Sequence, residues 1–170
     1  MRPTCAPAVA CVARVPKCGR ARSRRAAAVL AAGRAATANK AEKKWPAFAD
    51  FTRLGEKSLG LPLACLTNKP TAFARPLLAL KGLDGFFAHA FGGDAFARKK
   101  PDPLPLLETC RALGTLPART LMVGDSRNDA EAAYAAGCPV ALVSYGYNHG
   151  EPIRAVPAAV YLDRIGQLLG

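Results

Sequence analysis

Short apolar runs punctuate residues 61–170, and polar turns separate them. Leu61-Pro62-Leu63-Ala64-Cys65-Leu66 is compact and uninterrupted, the pattern of a parallel strand buried on both faces. Arg119–Val123 and Pro139–Val143 read the same way, and Ala159–Leu162 reads as a last short strand. Phe86, Phe87 and Phe91 mark a strand or strand-like connection. Between these runs the apolar period changes to that of a helix. Ala72–Lys81 places Phe73, Leu77, Leu78 and Leu80 on one side, with Pro76 as a possible kink and Gly82 as the stop. Leu104–Leu113 turns Leu106, Leu107, Cys110 and Leu113 inward and ends at Gly114. Ala130, Ala133 and Ala136 recur at helical spacing before Gly137. A brief helix closes the chain. Strand and helix alternate throughout, which predicts an α/β fold with a Rossmann-like, mostly parallel sheet.

Upstream the pattern fails. Trp45–Gly60 holds Phe48, Phe51, Leu54 and Leu59, enough for a short amphipathic helix. Residues 1–44 are rich in Ala and Arg, with few large apolar side chains to offset ordering entropy. They predict a disordered leader with a weak helix near Arg25–Ala36, ahead of a core over residues 45–170.

Charge sharpens that division. Residues 1–44 carry eleven Lys/Arg against one acid, so they hold +10 of the total +12 and leave +2 for residues 45–170. The arm has a single serine, Ser23, which counts against a transit peptide, and lacks the continuous apolar stretch of a secretory signal. A basic arm can neutralise nucleic-acid phosphates, but this one has no aromatic residue to stack on bases. A solvated tail is the simpler reading. The six cysteines form no C-x-x-C pair, which gives zinc and a disulfide framework no support, and a reducing cytoplasm is the expected compartment. No apolar run approaches membrane-spanning length.

Polar residues cluster where strands end. Thr67-Asn68-Lys69-Pro70 follows the first apolar run, as either an oxyanion cradle or a helix start capped by Thr67 or Asn68. Lys99-Lys100-Pro101-Asp102-Pro103 holds a lysine on a stiff turn, or is a solvated basic loop. Gly124-Asp125-Ser126-Arg127-Asn128-Asp129 sets two carboxylates where open α/β sheets bind ligands. Paired carboxylates there suit Mg²⁺; the alternative is a helix N-terminus capped by Ser126 or Asn128.

In this order, Thr67-Asn68, Lys100-Pro101 and Gly124-Asp125-Ser126-Arg127-Asn128-Asp129 resemble motifs two to four of the haloacid dehalogenase superfamily. The nearest branch is phosphoglycolate phosphatase, on Thr-Asn-Lys-Pro, Gly-Gly-Asp, Lys-Lys-Pro-x-Pro and Tyr145-Gly146-Tyr147-Asn148-His149-Gly150-Glu151-Pro152. The resemblance implies a Mg²⁺-dependent hydrolase of a small phosphorylated metabolite, 2-phosphoglycolate. Thr67 and Lys100 would be catalytic, Thr67, Asn68 and Lys100 would bind phosphate, and Asp125 and Asp129 would serve the metal, Asp129 as second ligand or as anchor. The family's first motif, Asp-x-Asp on the central strand, has no counterpart in the chain, and neither does the helical cap. The chain thus reads as the C-terminal part of such an enzyme behind an unrelated leader, a truncated or frame-shifted copy. The alternative is a dead remnant that at most binds Mg²⁺ and phosphate. Without the central strand, the strands leading to Thr67 and Asp125 are expected to pair directly or to leave a gap.

Overall fold

The computed structural model describes residues 27–31, as backbone, and residues 61–169. Strands are β1 (Ala27–Ala31), β2 (Leu63–Leu66), β3 (His89–Phe91), β4 (Thr120–Gly124), β5 (Val140–Val143) and β6 (Val160–Leu162). Helices are α1 (Thr71–Leu80), α2 (Leu104–Ala112) and α3 (Arg127–Ala136), with 3₁₀ turns at Asp84–Phe86, Pro117–Arg119, Ile153–Ala155 and Ile165–Leu169.

The strands form one sheet in the order β3-β2-β1-β4-β5-β6, and every pairing is parallel. Chain order runs outward from β1 in both directions, so the sheet reverses between β1 and β4. That reversal is where doubly wound sheets open a crevice at their carboxyl ends.

The centre of the sheet corrects the sequence reading. Ala27–Ala31 is a strand, not part of a helix. Val29 pairs with Ala64 on one side and Met122 on the other, so β2 and β4 neither pair directly nor leave a gap. An alanine-rich run favours helix by intrinsic propensity, but two flanking strands with open backbone groups outweigh that preference. The rest of the expected disordered leader, and the helix expected over Trp45–Gly60, lie outside the described residues.

Two apolar layers sandwich the sheet. Leu63, Cys65, Leu121, Val123, Ala141 and Val143 face one side, against Leu78, Leu83 and Ile165. Ala64, Leu66, Met122, Val140 and Leu142 face the other, against Leu106, Cys110 and Leu113 from α2 and Ala130, Ala133 and Ala136 from α3. Strands covered on both faces need apolar residues at every position, hence the unbroken runs in the sequence. Each fully buried Leu, Met or Val contributes about 1.5–3 kcal/mol to holding the layers together.

Helix α1 departs from its expected face. Ala74 and Leu78 are buried, whereas Phe73 and Leu80 are exposed. The expected capping by Thr67 or Asn68 also gives way. The Oδ1 of Asp94 accepts from the Thr71 amide at 2.8 Å and from its hydroxyl at 2.5 Å, and so holds the helix start from 23 residues away. The three phenylalanines do not share a strand, since Phe86 lies in a 3₁₀ turn and only Phe91 in β3. The closing helix is the 3₁₀ turn Ile165–Leu169.

Candidate active site

Thr67, Lys100 and Asp125 meet at the carboxyl rim of the sheet. Thr67 directly follows β2, Asp125 directly follows β4, and the Lys100 side chain reaches back to the end of β2. All three are buried, as is Asp129. Ala31, the last residue of β1, pairs with Leu66, the residue before Thr67, so β1 ends between the two polar strand ends.

Lys100 is held from three directions. Its Nζ donates to the Leu66 carbonyl at 2.9 Å and lies 2.8 Å from Asp129 Oδ1. Its backbone is clasped by Asn68: the Asn68 Nδ2 donates to the Lys100 carbonyl at 2.7 Å, and the Lys100 amide donates to Asn68 Oδ1 at 3.1 Å. Both ends of the Asn68 amide are therefore engaged in positioning the lysine. The Thr67 Oγ1 accepts from the Lys69 amide at 3.2 Å, which tightens the turn after β2.

Asp129 ties the motif after β4 together. Its Oδ2 accepts from the Asp125 amide at 3.0 Å, the Ser126 amide at 3.2 Å and the Ser126 hydroxyl at 2.8 Å. Ser126, rather than Asn128, is the N-cap of α3. The capping reading of the motif thus holds, and both of its carboxylates are buried beside the cap. With Oδ1 on Lys100 and Oδ2 on three donors, Asp129 has the geometry of an anchor rather than of an open metal ligand.

Glycine makes this closeness possible. A Cβ on Gly124 would sit 2.3 Å from the Cβ of Asp129, and one on Gly146 would sit 2.0 Å from the Cβ of Asp125. Gly146 opens a loop whose role the sequence did not reveal. The Tyr147 amide donates to Asp125 Oδ2 at 3.0 Å, and Asn148 Oδ1 accepts from the Arg127 amide at 2.7 Å. Only the glycine and asparagine of the Tyr-Gly-Tyr-Asn run could have signalled it, since the Asp125 contact is made by backbone.

The two carboxylates respond oppositely to their surroundings. Burial pushes Asp125 up to about 7, and the neighbouring Asp129 adds to the rise; the Tyr147 amide and Lys100 only partly offset it. Burial works against the charge of Asp129 as well, yet the Lys100 ammonium, the Ser126 hydroxyl and the Asp125 amide together hold it below the ordinary carboxylate range. Asp125 is therefore the carboxylate whose negative charge lacks a sufficient counter-charge. A hard dication bound through oxygen fits that deficit, since Mg²⁺ takes one or two carboxylates and fills its remaining positions with water or phosphate oxygens. No cluster of three or more His, Cys, Asp or Glu suited to a metal occurs among the described residues. No helix among them is long and apolar enough to cross a membrane.

Residues 19–137, a span that takes in β1, match the family model of haloacid dehalogenase-like hydrolases. The phosphoglycolate phosphatase of Thiobacillus denitrificans is 52% identical over 97 residues, 57% of this chain and 43% of that protein. That of Escherichia coli K12 is 47% identical over 110 residues, 65% of this chain and 44% of that protein. The chain thus spans less than half the length of these curated relatives. A crystal structure from Haemophilus somnus 129pt, described as a predicted phosphoglycolate phosphatase, superposes with a TM-score of 0.67 at 37% identity, over 71% of this chain and 53% of that one. Fold, motif order and family match agree, and the chain belongs to the haloacid dehalogenase-like hydrolases.

Proposed function

We propose that the rim pocket is that of a Mg²⁺-dependent phosphomonoester hydrolase whose substrate is 2-phosphoglycolate. The observation that carries this reading is the convergence of Thr67, Lys100 and Asp125 at one rim of the sheet, with Lys100 fixed by Asn68 and Asp129. In it, the Thr67 hydroxyl donates to a phosphoryl oxygen. The Lys100 ammonium neutralises charge on the transferring group, and Asn68 keeps that ammonium in place. Asp125 holds the metal and Asp129 orients both. Bound Mg²⁺ supplies positive charge to phosphoryl oxygens and orients the ester. The substrate assignment rests on the relatives named phosphoglycolate phosphatase.

One observation favours a second reading, binding without turnover. No Asp or Glu precedes Glu42 in the sequence, and β1 is Ala-Ala-Val-Leu-Ala, followed by Ala32-Gly33-Arg34. The family attacks phosphorus with the first Asp of an Asp-x-Asp at this strand. Removing a covalent nucleophile costs on the order of 10⁶ in rate in a comparable hydrolase.

Phosphate release from 2-phosphoglycolate with and without Mg²⁺ separates the readings. Release well above the buffer rate supports the hydrolase. Release at the buffer rate, gained on making Ala32→Asp with Arg34→Asp, supports the binding reading and locates the missing group. No release from either form, together with no phosphate binding, overturns both.

A further inference from the structure

The phosphate pocket does not use a buried polar cluster at the far end of α2. Cys110 lies in the last turn of α2, and Cys138 follows Gly137, the C-cap of α3. Their Sγ atoms are 4.0 Å apart in the core, at 1% and 4% exposure. The Thr115 and Thr120 hydroxyls, 2.8 Å from each other, stand beside them, and the Thr115 amide donates to the Cys110 carbonyl at 2.9 Å. Cys138 is anchored by its own amide, which donates to the Ala133 carbonyl at 2.8 Å. Two thiols and two hydroxyls in an otherwise apolar layer are an unusual concentration of polarity.

We propose that Cys110 and Cys138 are an oxidisable dithiol, which a small hydroperoxide converts to an intramolecular disulfide joining the end of α2 to the end of α3. Cys110 is the attacking sulfur. Hydrogen bonding from Cys138, then from Thr120 and Thr115, brings it down to about 7 against the opposing effect of burial, with the Cys138 sulfur 4.0 Å away to resolve it. The same bond, and then burial, pushes Cys138 upward, which keeps it protonated as the resolving thiol. Cys65 lies on the other face of the sheet with its thiol pushed up to about 12 by burial, and takes no part.

The chemistry balances. The Cys110 thiolate attacks one peroxide oxygen, the O–O bond breaks, and the alkoxide or hydroxide leaves with a proton as alcohol or water. The resulting sulfenic acid is attacked by the Cys138 sulfur. The S–O bond breaks, the S–S bond forms, and hydroxide takes the Cys138 proton and leaves as a second molecule of water. The peroxide is reduced by two electrons and the dithiol is oxidised by two. The sulfurs close a remaining gap of about 2 Å to reach bonding distance. The adjacent resolving thiol captures the sulfenic acid before further oxidation. The site stands independently of the phosphate pocket.

The test uses the full reduced chain, treated with hydrogen peroxide, alkylated and digested with trypsin without reductant. The expected product links peptides 100–111 and 128–154, is lighter than their sum by two hydrogens, and separates on dithiothreitol treatment. Cys65→Ser keeps the link. Cys138→Ser loses it and leaves a Cys110 sulfenic acid that dimedone traps. The wild-type digest decides the matter even where a serine variant does not fold. Full alkylation of Cys110 and Cys138 after peroxide treatment overturns the proposal, as does their linkage only to Cys5, Cys11 or Cys18.

Discussion

The Lys100–Asp129 pair is the most constrained contact of the pocket, 2.8 Å long with both side chains almost fully buried. Attraction in such a place is nearly cancelled by the desolvation of two charges, so its net contribution to stability is small. Its removal by halves is not small. Lys100→Met leaves Asp129 buried without a counter-charge and is expected to destabilise the fold by about 3–5 kcal/mol in urea unfolding. Adding Asp129→Leu recovers most of that loss; a double variant no more stable than the single one would show that the lysine acts through something other than this pair. Asp125 behaves in the opposite sense. Its folded-state affinity for a proton is raised to about 7 from an ordinary value of 3.8, so its contribution is fully present below about pH 4 and is lost as pH rises through 7. At pH 7.5 in chelator, Asp125→Asn is therefore expected to melt higher than the parent, by an increment on the order of 2 kcal/mol, and to lose its response to Mg²⁺. A lower melt in chelator contradicts the assignment of Asp125 as the under-compensated charge.

At the scale of elements, β1 decides whether the sheet is continuous. Val29 is bonded into ladders on both sides, to β2 and to β4. Proline there removes an amide from a central strand and is expected to abolish the cooperative thermal transition, measured by circular dichroism. A Val29→Pro protein that melts as the parent does would remove β1 from the sheet. This strand was also the least legible element. Val140–Val143 and Leu63–Leu66 announce themselves by β-branched or large apolar residues in unbroken runs, because both faces are covered. Ala27–Ala31 offers three alanines inside an arginine-rich stretch, and nothing local separates it from a weak helix; its position depends on partners 35 and 93 residues further on. Helix α1 shows the reverse error. Its period is helical as expected, but a period names a face without naming the neighbour, and Phe73 and Leu80 lie outward. Thr67, Lys100 and Asp125 could be placed because each sits next to a recognisable strand end or stiff turn. Asp94 and the Tyr147 amide could not, since both act across the fold on groups far away in sequence.

At the scale of the molecule, the charge count of the rim governs what it can hold. Among the described residues it buries one cation, Lys100, and two carboxylates, Asp125 and Asp129. With both carboxylates ionised, that set is net negative and repels a phosphate ester. A dication at Asp125 reverses the sign, so phosphate affinity should depend steeply on Mg²⁺ rather than merely tolerate it. The basic arm of residues 1–44 carries most of the chain's net positive charge but none of these side chains. Calorimetric titration of the full chain with 2-phosphoglycolate, at saturating Mg²⁺ and again in chelator, reads this dependence directly. The expected result is saturable binding in Mg²⁺, weakened at least about tenfold in chelator, a difference of at least about 1.4 kcal/mol, and no gain from Mg²⁺ in Asp125→Asn. Equal binding with and without Mg²⁺, or binding that survives Asp125→Asn unchanged, would contradict the account of this rim as a metal-gated phosphate pocket.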